Sequence, residues 1–72
     1  MFTLTVVQNS VIVQTREYHS AIECGSKIFA AYNYYKEKGE ESEIRMLDSR
    51  MMLIYNIFTY EEWPKEIENQ KI

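Results

Sequence analysis

The sequence predicts an α+β fold: a single ββαββ domain with a four-stranded, mainly antiparallel sheet, one helix on one face and a short C-terminal helical tail. Its hydrophobic pattern carries this expectation. Apolar residues alternate over 2–18, recur at the helical period of about 3.6 over 20–38, and alternate again over 43–58. With 72 residues the chain makes a single small core, in a domain at 1–58 followed by an aromatic and acidic tail at 59–72. Such a core supplies only about 3–5 kcal/mol of net stability, so small chains commonly recruit a staple.

In the first hairpin Phe2, Leu4 and Val6 form one face and Thr3, Thr5 and Val7 the other. Asn9-Ser10 supplies the tight turn, because Asn tolerates a positive φ. A two-residue loop sets Val13 opposite Val6 and Thr15 opposite Leu4 on the inner face, with Val7 opposite Ile12 outside.

Ser20 and Glu23 have the spacing of a capping box, which starts the helix. Cys24, Ile28, Phe29, Ala31, Tyr32 and Tyr35 then fall in one arc, while Glu23, Lys27, Asn33, Tyr34 and Glu37 lie opposite. Lys36 and Lys38 suit the negative end of the helix dipole, and Gly39 the left-handed cap. Glu40-Glu41-Ser42 reads as a solvated connection.

In the second hairpin Ile44 and Met46 point inward, Asp48-Ser49 makes the turn, and Met51, Leu53, Tyr55 and Ile57 return on the same face. Met52, Ile54 and Phe58 make the opposite face apolar too, and a strand apolar on both sides is usually covered on both. The expected core is Phe2, Leu4, Val6, Val13, Ile28, Phe29, Tyr32, Tyr35, Ile44, Met46, Leu53 and Tyr55. In the tail, Thr59 and Glu62 can cap a turn, and Pro64 can open a second helical segment from Lys65 to Ile72.

Charge is uneven: residues 1–36 carry +1 and residues 37–72 carry −4, for a net of −3. An acidic chain is a poor general phosphate tracker and a natural complement to a basic partner patch. Cys24 is the lone cysteine, so no intrachain disulfide is possible, and with His19 it offers too few soft ligands for a zinc site. No cofactor is expected. Residues 1–7 show no basic leader, which together with the lone thiol predicts an intracellular, cytoplasmic protein with no membrane attachment.

No residue set forces a chemistry, and no enzyme activity is expected. His19 and Ser20 are adjacent, a spacing that rarely brings two side chains into catalytic register, and Ser20 already serves as cap. Cys24 sits on the core arc. The carboxylate pairs Glu40 with Glu41, Glu61 with Glu62 and Glu66 with Glu68 lie on loops and tail rather than across a cleft. With only Gly25 and Gly39, no glycine-rich phosphate loop exists.

Tyrosine is the positive signal, at six residues in 72, because it brings rigid contact area with a polar tip. Tyr34, Tyr60, Trp63, Glu61 and Glu62 are the expected partner contacts, and Val7, Ile12, Met52 and Ile54 the expected interface of a homodimer. The leading expectation is a non-catalytic protein-interaction module, an accessory or inhibitor protein. In composition the chain resembles small virus- or phage-encoded accessory proteins that bind and inhibit a host enzyme. The alternatives are a nucleic-acid binder using Arg16, Arg45 and Arg50 on the outer sheet with tyrosines, and an oligomer that sequesters a small ligand.

Overall fold

The alternating segments pair as two hairpins joined through a helix, and a computed structural model describes residues 1–63 of this arrangement. The elements run β1 (Phe2–Gln8), β2 (Val11–Tyr18), α1 (Ala21–Lys38), β3 (Glu43–Leu47) and β4 (Leu53–Phe58). The sheet has the order β2-β1-β3-β4 with every neighbouring pair antiparallel, and α1 covers one face. This is the α+β architecture expected from the hydrophobic periods. The proposed helical segment Lys65–Ile72 lies outside the described residues.

Asn9 and Ser10 both take positive φ, 52° and 65°, as a two-residue hairpin turn requires. Gln8 then faces Val11 and Val7 faces Ile12, but Val6 faces Gln14, so Val13 is an extra residue in a β-bulge. The bulge corrects the expected register: Gln14 and Arg16, not Val13 and Thr15, stand opposite Val6 and Leu4 on the helix side. Val13 is exposed as a result. The core therefore rests on three strands, in cross-strand rows Leu4–Met46–Tyr55 and Val6–Ile44–Ile57.

Helix α1 is bounded as its sequence dictates. Ser20, extended at φ −121°, accepts a 3.0 Å bond at its Oγ from the Glu23 amide. At the other end Gly39 is left-handed, its amide bonds the Lys36 carbonyl, and the Glu40 amide bonds that of Tyr35, the two bonds of a Schellman cap. Cys24, Ile28 and Tyr32 are the buried stripe set against the sheet rows. Phe29, expected in the core, is 41% exposed at the edge of that stripe.

The second hairpin turns later than expected. Asp48 and Met52 pair, Met51 takes φ 64°, and Asp48 Oδ1 accepts from the amides of Arg50 and Met52 at 2.9 and 3.0 Å. A further bulge makes Leu47 face Leu53, which moves Leu53 off the core face and leaves it exposed. Residues 40–42 are likewise not simply solvated. Ser42 is only 3% exposed and exchanges bonds with Thr59, its amide to Thr59 Oγ1 at 3.1 Å and its carbonyl from the Thr59 amide at 2.9 Å. Gln8 Nε2 adds bonds to Ser42 Oγ and Glu40 Oε1, so this latch ties together the ends of β1, α1 and β4.

Candidate interaction surfaces

The sheet face away from α1 is open among the described residues, and its register arranges it in three rows. One end row reads Ile12–Val7–Glu43–Phe58, the middle Thr15–Thr5–Arg45–Asn56, and the other end Glu17–Thr3–Leu47–Leu53. Tyr60 extends the first row, its ring 5.2 Å from that of Phe58. The middle row is held by Glu43, which accepts from Arg45 at 2.9 Å and from Asn56 at 2.8 Å. Arg45 holds the Glu43 carboxyl below its ordinary range, with the Asn56 bond acting in the same direction against burial.

The expected continuous apolar patch is therefore divided. Val7 and Ile12 sit side by side at one end of the open face. Met52 in the turn and Ile54 at the bulge are exposed at the far corner, beside Leu53. A polar belt of Thr5, Arg45 and Asn56 separates the two.

The expected partner contacts do not form one surface. Tyr34 is 55% exposed on the helix, edge-on to Tyr35 at 5.0 Å, with Lys38 Nζ 4.9 Å above its ring. Tyr60, Glu61 and Glu62 are exposed on the segment after β4. Trp63 is not a surface anchor but a core residue. Its ring lies 5.0 Å from Phe29, 5.1 Å from Tyr32 and 6.2 Å from Tyr55, closing the valley between α1 and β4. Tyr32 fixes that return by donating its hydroxyl to the Glu61 carbonyl, while Lys36 Nζ donates to Tyr32 at 2.8 Å. A tryptophan followed by proline gave little hint of burial, because its partners on α1 and β4 are distant in sequence.

On the other flank of α1 a groove of about 810 Å³ runs between the helix and β2. Leu4 and Ala31 form its floor, Gln14, Arg16 and Tyr18 its strand wall, and Lys27, Ala30, Tyr34 and Tyr35 its helix wall. The Tyr35 hydroxyl donates to Gln14 across it at 3.2 Å. The groove depends on the Val13 bulge, which turns the polar residues of β2 toward the helix and leaves no mark in the hydrophobic alternation.

The chemical candidates stay apart. Cys24 is buried, and burial first, then the Glu23 charge, pushes its thiol pKa up, the reverse of what a reactive thiolate needs. His19 is exposed, and its neighbour Ser20 is committed to the helix cap. Among the described residues no three His, Cys, Asp or Glu side chains gather as metal ligands. Nor do the three arginines share a surface: Arg16 is on the helix side of β2, Arg45 on the open face bound to Glu43, and Arg50 in the turn beside Asp48. Among the described residues no helix is long and apolar enough to cross a membrane. No family model matches the chain, nor does any curated protein or solved structure.

Proposed function

We propose that the protein is a non-catalytic interaction module that works as a homodimer by occupying a partner protein's surface. The observation that carries this is the end row Ile12–Val7–Glu43–Phe58 with Tyr60, apolar apart from Glu43, on a sheet face left open among the described residues. A second copy related by a two-fold axis would bury that row against itself, which also supplies the staple a small core needs. Exposed Glu61 and Glu62, beside Tyr60, suit a partner with a basic patch. Compositional likeness supports an inhibitor or accessory role, of the kind small viral and phage proteins play, and among the described residues no His, Cys and carboxylate groups gather into a site.

Affinity capture from the native host with the full chain, compared with Tyr60→Ala and Ile12→Glu, tests the proposal. Its expected result is a protein held by the natural chain and lost or weakened in at least one variant. Retention of every captured protein by both variants would overturn it.

A further inference from the structure

We infer that the groove between β2 and α1 docks an extended acidic segment of a partner protein, which joins the sheet along β2 as an added strand. The molecule itself shows an asymmetry that motivates this. Helix α1 has a valley on each flank, and the chain fills the β4 side with its own Trp63. Among the described residues the β2 side is left as an open groove.

The strand beside that groove is equipped to pair. β2 is an edge of the sheet, so alternate residues turn their N–H and C=O groups away from β1. Among the described residues no turn, loop or side-chain hydrogen bond reaches the β2 backbone. Its first residues Val11 and Val13 are 60% and 47% exposed, which suits apolar contact with an incoming strand. Main-chain bonds at such an edge give affinity, and side chains entering the adjacent groove give selectivity.

Charge names the occupant. Arg16 from the strand and Lys27 from the helix face the groove, no carboxylate lines it, and neither cation joins an ion pair among the described residues. In a chain of net charge −3, a groove that is cationic and free of acids among the described residues is a local reversal. Every second side chain of an added strand would enter it. Acidic groups there meet Arg16 and Lys27, and an apolar group meets the Leu4 and Ala31 floor between the rings of Tyr18 and Tyr35. Two cations on opposite walls are a poor track for a run of phosphates, so a peptide fits better than a nucleic acid. The site is separate from the open sheet face, so docking and dimerisation can succeed or fail independently.

The test uses a fluorescent peptide alternating Glu and Val with one central Phe, its Lys-for-Glu counterpart, and an oligothymidylate, each titrated by anisotropy against the full chain. The Glu peptide should bind best. Arg16→Glu and Lys27→Glu should each weaken it about tenfold, as loss of a charge-assisted bond implies. Ala30→Trp, at an exposed position on the groove wall, should block it while circular dichroism stays unchanged. Alternate β2 amides should exchange more slowly in the complex. Failure of the Glu peptide to bind, preference for the Lys peptide or the oligothymidylate, affinity unchanged in folded variants, or binding without β2 protection would each overturn the inference.

Discussion

Among the described residues three other than glycine hold left-handed backbone, and all lie in hairpin turns: Asn9, Ser10 and Met51. Asn accepts that conformation through its short polar side chain, whereas Met pays a steric cost at its Cβ. Met51→Gly and Ser10→Gly should each raise stability by up to about 1 kcal/mol, part of the relief being offset by the freer unfolded chain. Urea unfolding midpoints check this, and a fall in midpoint for both would contradict the turn geometry. Trp63 is the opposite case, since its removal should be severe. Trp63→Ala empties the valley beside Phe29, Tyr32 and Tyr55, at a cost of about 3 kcal/mol. As the only tryptophan, Trp63 should also emit at short wavelength and resist acrylamide quenching in the natural protein.

At the scale of elements, those bounded by local chemistry were legible in the sequence. Ser20 and Gly39 fix α1 through its caps, and the period-two runs fix four strands. Register was not legible, because it was set by bulges at Val13 and Ile54 whose neighbours alternate equally well one residue either way. Val13 and Leu53 are consequently exposed, and the groove beside β2 owes its Gln14 and Arg16 wall to the first bulge. The polar latch of Gln8, Ser42 and Thr59 was also invisible, being built from three segments far apart in sequence.

The second hairpin carries a pH dependence of its own. Glu43 is held below its ordinary value of 4.5, chiefly by Arg45, and Asp48 below 3.8, chiefly by the Met52 amide. A carboxyl depressed in the fold stabilises fully above its unfolded pKa, and that contribution is lost as pH falls through the folded value. Urea midpoints should therefore drop from about pH 5 downward, and Glu43→Gln should make the decline shallower. An equally steep decline in that variant would remove Glu43 from the account.

For the whole molecule, a sheet of four strands carries one helix, and what that helix fails to cover defines the available surfaces. Trp63 closes one flank, the other flank is the β2 groove, and the far side of the sheet is bare among the described residues. The sequence showed that its second hairpin was apolar on both sides. It did not show that Thr5, Arg45 and Asn56 split the open face, since that belt forms only when three strands align. The end row, where Ile12, Val7 and Phe58 flank Glu43, is what a second copy would cover. Sedimentation equilibrium of the full chain over a concentration series measures this most directly. A species of twice 8.7 kDa is expected, and Ile12→Glu with Phe58→Glu should reduce it to the monomer. A natural chain that stays at 8.7 kDa at every concentration, or a dimer indifferent to both substitutions, would contradict it.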